Sequence, residues 1–227
     1  MRVYITSLGR PGNVPAMEAQ AGIAQLVWLV PEEQADDYAR AGATSIITGP
    51  PGKPDKINAI LDAYPDQWNV FSDDDCRKLT LLNETGDRVK CTLGLAAAEY
   101  IAVGNRRRDH GVFMPNMSNA HFAARRVSAW GSTVGWFMAV APNTECRLDP
   151  ALLMNHDVDF ACQVFMRYGR IARVGYIIGD YRYADKTSHF REQHDDRSYE
   201  HKVVIDRYPG LVLGSDGDTM KFARIKA

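Results

Sequence analysis

The 227-residue chain lacks most of the marks by which a sequence announces its chemistry. Its four cysteines, Cys76, Cys91, Cys146 and Cys162, form no C-x-x-C pair, which argues against a zinc ribbon or a dithiol redox centre. Reduced thiols are the expected state. Net charge is only −1, from 27 Lys and Arg against 28 Asp and Glu. The molecule as a whole is therefore no polycation for nucleic acid or anionic lipid, and any such contact has to come from a local patch. No apolar run approaches the roughly 18 residues of a membrane span, so no membrane partner is expected. The opening "MRVYITSLGRPGN" is broken by Gly9, Arg10 and Pro11 and does not read as a secretory signal, so a cytoplasmic location is expected. There is no internal repeat, low-complexity tract or clear linker. One domain over residues 1–227 is expected, with residues from about 185 to 227 as its polar extension. A phosphate-binding P-loop is excluded too: "GPPGKPDK" lacks the required spacing and has Pro54 where Ser or Thr must stand.

What is present is an alternation. Hydrophobic residues make up 45% and charged residues 24%, the balance of an ordinary globular protein. "RVYITSL", "AQLVWLV", "TSIITG" and "WNVF" are apolar, β-branched runs that read as strands. Between them, "PEEQADDYARAGA" and "KINAILDAY" carry helix signals, the first with Pro and acids at its start and Gly at its end. Strands alternating with helices predict an α/β fold with a mixed, mainly parallel sheet covered on both faces. Further on, "LTLLNETGDRVKCTL" reads as a hairpin, "GLAAAEYIAVGNRRRDHG" as a helix with a basic end, and "GWFMAVAP" as a strand. "MNHDVDFACQVFMRYG" reads as a helix closed by Gly169, "RIARVGYII" as one strand, and "SYEHKVVIDRY" as a helix in an otherwise irregular tail.

In sheets of this kind ligands bind beyond the carboxyl ends of the strands. The loops Ser7–Arg10, Gly49–Asp55 and Ser72–Asp75 all fall there. The last holds three consecutive carboxylates, Asp73, Asp74 and Asp75. On an extended segment Asp73 and Asp75 point one way and Asp74 the other. Carboxylate oxygen suits the hard cations Mg²⁺ and Mn²⁺, so Asp73 and Asp75 are candidate metal ligands; a solvated acidic turn is the other reading. Such an ion would hold a substrate diphosphate. Arg10, Lys53, Lys56 and Asn58 lie where single side chains can meet a phosphate or sugar. His156, Asp157 and Asp159 open the "HDVDF" helix. Asp157 is a candidate general base, with helix capping as its alternative role. A third metal ligand is sought among His189, His194 and His201, with His189 preferred because it lies closest to the preceding strand.

A nucleotide-binding βαβ half ending in D-x-D, followed by an acid-Asp-like helix start, resembles glycosyltransferases of the GT-A fold, in particular the inverting family 2. His156 stands where that family usually has Glu, and Asp157 falls in the base position. A narrower likeness is carried by "VYITSLGRPGN", "VPEEQADDYARAG", "KINAILDAY", "FSDDD" and "HDVDF" in this order, over residues 2 to about 180. These resemble the phage glycosyltransferases associated with TET/JBP-type base-oxidising dioxygenases. The resemblance implies a GT-A (Rossmann-like) fold and a hexosyl- or pentosyltransferase using Mn²⁺ or Mg²⁺. It implies a nucleotide-sugar donor, UDP-linked, contacted by Thr6, Ser7, Arg10, Lys56, Asn58, Asp73 and Asp74. The implied acceptor is a hydroxymethylated pyrimidine in phage DNA, 5-hydroxymethylcytosine first. Arg106, Arg107, Arg108, Arg125, Arg126, Trp130 and Trp136 are the candidate DNA contacts, set against the alternative roles of helix-end cations and core tryptophans. Two rivals remain: an enzyme of the same fold acting on a saccharide or other small acceptor, and a nucleotide-binding module without catalysis.

Overall fold

The computed structural model describes residues 1–115, 127–131, 133–181, 197–216 and 219–223. Its first strands and helices alternate as the sequence predicts. Strand β1 (Arg2–Thr6) leads through a short turn to α1 (Val14–Glu18) and β2 (Gln25–Val30). Helix α2 (Ala35–Arg40) follows, then β3 (Ile46–Thr48), α3 (Lys53–Ala63) and β4 (Asn69–Asp73). A hairpin of β5 (Cys76–Leu82) and β6 (Arg88–Cys91) turns through "ETGD". Helix α4 (Leu93–Arg107) begins on Thr92, whose hydroxyl accepts the Leu95 amide at 3.2 Å. Then come β7 (Gly111–Pro115), β8 (Val127–Ser128), β9 (Thr133–Val140) and α5 (His156–Tyr168). Next are β10 (Ala172–Val174), β11 (Ile177–Tyr181), α6 (Arg197–Arg207), β12 (Val212–Asp216) and β13 (Thr219–Phe222).

Eight strands form one sheet in the order β3-β2-β1-β4-β9-β7-β10-β8. The first four are mutually parallel, β9 runs against them, and β7 and β10 resume the original direction. The expected α/β class, with a mixed and mainly parallel sheet flanked by helices, is present. Burial follows the two-residue period of a strand. Val3 and Ile5 enter one core with Trp28, Tyr38 and Tyr100, while Tyr4 between them enters the other with Val27, Phe71 and Phe160. Helix α4 packs in the first core, and α3 and α5 in the second. A sheet buried on both faces explains why its strands read as unbroken apolar runs.

Two expectations need correction. "RIARVGYII" is two strands in two sheets: β10 joins the large sheet, and β11 pairs with β5 in a three-stranded sheet β11-β5-β6. An apolar run carries no mark of such a change of partner beyond Gly175 and Tyr176 at the turn. The tail is also less irregular than expected, because β12 and β13 form a hairpin. Val204 of α6, Val212 and Met220 belong to the second core, so this tail packs with α5. The thiols are free, as expected, and all four are buried; burial pushes Cys76 up to about 12. Among the described residues no helix is long and apolar enough to cross a membrane.

Candidate functional site

The parallel register brings the carboxyl ends of the strands to one edge. Thr6 stands opposite Leu29 on one side and Asp73 on the other, and Val30 pairs with Thr48 just before α3 begins. The chain direction of β9 then decides what completes the edge. Being antiparallel, it starts here: Phe137 pairs with Ser72, so Trp136 and Gly135 lie level with and beyond Asp73.

The three aspartates divide, although only Asp73 lies on a strand and Asp74 and Asp75 form the turn into β5. Asp74 is buried; it accepts the Ser7 hydroxyl and pairs with Arg10. Ser7 also shares a hydrogen bond with the Tyr38 hydroxyl, which accepts the Arg10 amide at 3.0 Å. Asp74, expected to contact donor, is thus the internal brace of the Ser7–Arg10 loop. Burial pushes its carboxyl up to about 7, against the pull of Arg10 and the Ser7 hydrogen bond. Asp73 and Asp75 remain partly open, with side-chain exposures of 19% and 16%. Asp73 accepts the Thr6 hydroxyl at 3.1 Å and pairs with Lys53 at 2.5 Å. Asp75 faces Arg10 at 3.7 Å, and burial, then the neighbouring Asp73, raise it to about 6. Lys56 is buried and donates to the Ser7 carbonyl at 2.6 Å; burial holds it down at about 8. Lys53, absent from the residues singled out for the donor by resemblance, is central. Its place at the N-terminus of a helix that follows a strand was the available signal.

Asp157 arrives from the other side. Its carboxylate accepts the Gly135 amide at 2.7 Å and the Val158 amide at 2.8 Å. Gly135 has to be glycine for this approach, since a Cβ there would lie 2.7 Å from Asp157 Cβ. The Gly135 carbonyl in turn accepts Lys53 Nζ at 3.3 Å. Asp73, Lys53, Gly135 and Asp157 therefore form one connected chain across the edge. His156 is buried beside them. Its Nδ1 faces only carbonyl oxygens, Leu152 at 3.2 Å and Leu153 at 3.1 Å, so Nδ1 carries the proton. Burial, then the Lys53 charge, keep its pKa below the ordinary value.

Other expected residues lie elsewhere. Asn58 spends both ends of its amide on the Leu148 backbone, at 2.8 and 2.9 Å, and anchors that loop. Asp159 is buried and binds Gln163, Arg207 and Tyr208, which ties α6 to α5. Trp130 is packed between Phe165 and Phe222 in the second core. Trp136 is half-buried against Tyr181, at the site. Arg106, Arg107 and Arg108 end α4 at the opposite edge: Gly111, just after them, is level with Val140 and Asn69. The length of β4 separates that edge from Asp73 by roughly 13 Å. There Arg107 pairs with buried Asp109 at 2.7 Å and Arg106 with Glu99 at 3.8 Å. His201 is buried on α6. His189, His194, Arg125 and Arg126 lie outside the described residues.

Among the described residues no three His, Cys, Asp or Glu side chains stand together as a self-sufficient metal site. The donor set still fits Mg²⁺ or Mn²⁺, which take one or two carboxylates and complete their shell with water and substrate phosphate. Asp73 and Asp75 are oxygen donors, partly open, and close enough that one raises the pKa of the other.

No protein-family model matches the chain, and neither does any curated protein. Among solved structures it is similar to 4-diphosphocytidyl-2C-methyl-D-erythritol synthase from Anaerococcus prevotii DSM 20548, at 10% identity and a TM-score of 0.43. That match covers 83% of this chain and 91% of the other. It is also similar to a UDP-glucose pyrophosphorylase complexed with UDP-glucose, at 7% identity and a TM-score of 0.43, over 79% and 91% of the two chains. Likenesses of this depth transfer neither activity nor substrate.

Proposed function

We propose that the chain is a glycosyltransferase that moves a sugar from a nucleotide-sugar donor, UDP-linked, to an acceptor hydroxyl with inversion. One observation carries the reading. The two acidic motifs, remote in sequence, meet across Gly135, with Lys53 joined to both Asp73 and the Gly135 carbonyl. A cluster of anions and cations at the carboxyl edge of an α/β sheet suits a diphosphate, and a second carboxylate beside it suits an acceptor hydroxyl.

Arg10, Lys53 and Lys56 lie where they neutralise the diphosphate, Lys56 as a buried cation and Arg10 as a planar fork. Asp73 and Asp75 would hold the divalent ion, which when bound supplies positive charge to the departing diphosphate. Asp157 accepts the proton of the acceptor hydroxyl. The acceptor oxygen forms its bond to the anomeric carbon as the bond to the diphosphate breaks on the opposite face, and the electron pair leaves with the nucleoside diphosphate. The two amides on Asp157 fix its carboxylate while leaving lone pairs for that proton.

Hydroxymethylated DNA is the acceptor that the resemblance implies. Of the described residues assigned to it, only Trp136 lies at this edge. That distribution favours the second reading, a saccharide or other small hydroxyl acceptor resting on Trp136. The test is mass spectrometry of products after incubation with a panel of nucleotide sugars, Mn²⁺ or Mg²⁺, and either hydroxymethylated DNA or oligosaccharides. Transfer is expected to vanish in excess chelator and in Asp75→Ala, with the fold intact by circular dichroism. Undiminished transfer under both conditions eliminates the metal role; donor binding without transfer to any acceptor leaves a binding module.

A further inference from the structure

Glu200 is a buried carboxylate that no catalytic reading uses. It projects from α6, in the polar tail, into the turn that precedes α5. There it gathers every backbone donor of three successive residues: Leu153 N at 3.0 Å, Met154 N at 2.9 Å and Asn155 N at 2.9 Å. The Asn155 side-chain amide adds a fourth contact at 3.2 Å. Successive amides converging on one anion form a nest, and charge-assisted hydrogen bonds of this kind are about twice as strong as neutral ones. The carbonyls of the same turn are held as well, since Leu152 and Leu153 accept from His156 Nδ1. The turn is thus fixed through both its donors and its acceptors, immediately before Asp157.

We propose that Glu200 is a positioning residue for Asp157, an inference that rests on the reading of Asp157 as base. The connection is short. The turn sets where α5 begins, the first residues of α5 carry Asp157, and Asp157 reaches Gly135 only because that start is exact to a fraction of an ångström. Gly135 leaves no slack, as its missing Cβ is the space Asp157 occupies. A carboxylate displaced by about 1 Å from its acceptor loses on the order of 100-fold in rate. The tail therefore contributes to the reaction without touching a substrate. Arg207, at the far end of α6, holds the same helix to Asp149 at 2.7 Å and Asp159 at 3.0 Å, so α6 is tethered along its length.

The test has two readouts on the full chain. Residue-resolved amide exchange is compared between the parent, Glu200→Gln and Lys202→Ala. Lys202 is an exposed control on the same helix, paired with Asp206 at 2.5 Å. In Glu200→Gln the amides of Leu153, Met154 and Asn155 are expected to exchange about 10-fold faster, and Gly135, whose amide reports Asp157 directly, to follow them. Lys202→Ala leaves all four unchanged. Kinetically, Glu200→Gln is expected to lower kcat about 10-fold or more with donor affinity preserved, and to add nothing in an Asp157→Asn background. Should Glu200→Gln not fold, Glu200→Asp gives the same pattern at smaller amplitude. If Gly135 stays protected while the turn amides open, or if the two substitutions multiply, Glu200 serves only the turn and the inference fails. If Asp157→Asn turns over like the parent, it is the base reading that fails, and Gly135 exchange still decides whether Glu200 sets the place of Asp157.

Discussion

The two edges of the large sheet each set a buried aspartate against arginine, yet they differ in kind. At the amino edge, Asp109 is enclosed by Arg107 at 2.7 Å and Arg170 at 3.2 Å, beside a His110–Tyr168 ring stack at 3.7 Å. Helix ends and strand starts meet there, and the pairs close on themselves. At the carboxyl edge, Asp74 is enclosed by Arg10 and Ser7, but its neighbours Asp73 and Asp75 stay partly open, and Asp157 faces them across Gly135. In one the carboxylate is enclosed by its own cations; in the other, two carboxylates stay partly open. The carboxyl edge gathers four carboxylates, Asp73, Asp74, Asp75 and Asp157, where the amino edge centres on Asp109, and the proposed chemistry falls where they gather.

The largest expected effect breaks the comparison at its open edge. Asp157→Asn keeps size and one amide contact but cannot take a proton at neutral pH. It should lower kcat by about 10²- to 10⁴-fold while donor affinity is kept. Steady-state kinetics with a direct donor-binding measurement checks this, and parental turnover would leave Asp157 as a helix cap. Next is Lys53→Ala, which removes the link between the motifs. Donor Kd should rise roughly 10- to 100-fold, as expected for the loss of a charged hydrogen bond. Calorimetric titration reads it, and unchanged affinity puts the diphosphate elsewhere.

A subtler effect is the pH response of Lys56. Its pKa of about 8 lies below the ordinary lysine value because burial disfavours its charge. Below pH 8 it is charged in both the folded and the unfolded chain, and burial then costs stability. From about 8 up to the unfolded value the unfolded chain binds more protons, so this group's contribution to stability rises with pH. Its charge is lost to a phosphate over the same range. Donor affinity should therefore fall above pH 8 while the Lys56 contribution to stability improves. Lys56→Gln should flatten that limb of the binding profile; a profile unchanged by the substitution removes Lys56 from the donor site.

The smallest effect is expected at the closed edge. Replacing Arg106, Arg107 and Arg108 together by Gln should leave transfer to a small acceptor within about twofold. Stability should fall by roughly 1–3 kcal/mol, mainly because buried Asp109 loses Arg107. A larger loss of transfer to DNA than to a saccharide, with a flatter salt dependence, would reinstate this patch as a nucleic-acid contact.

Much of the fold was legible because local and global signals agree. The first four strands read as apolar runs since both faces of the sheet are buried, and Gly169, at φ 78°, closes α5 where the pattern stops. The separation of Asp74 from its neighbours was read from an extended segment, whereas Asp74 and Asp75 form the turn between β4 and β5. What escaped were pairings that no local pattern encodes. Asn58 looked like a sugar contact, but its partner is the backbone of Leu148, ninety residues on. Arg106 to Arg108 looked like a nucleic-acid patch because charge can be read from sequence, whereas the edge of a sheet cannot. Glu200 was invisible for the same reason: a single glutamate in a polar helix gives no sign of the three amides it will collect.

Asp73 is the last residue of β4, locked into the large sheet opposite Thr6, whereas Asp75 immediately precedes β5, which belongs to the small sheet with β6 and β11. Asp74, buried and braced, and Asp75 itself form the two-residue turn between the two sheets. The gap between the outer carboxylates is therefore a caliper with one jaw fixed in the large sheet and the other on the turn that leads into the small one. Its second jaw is carried by β5, which is paired on both sides, with β6 and β11. Under the proposed function, the ionic radius that this pair accepts follows from how two sheets lean on each other.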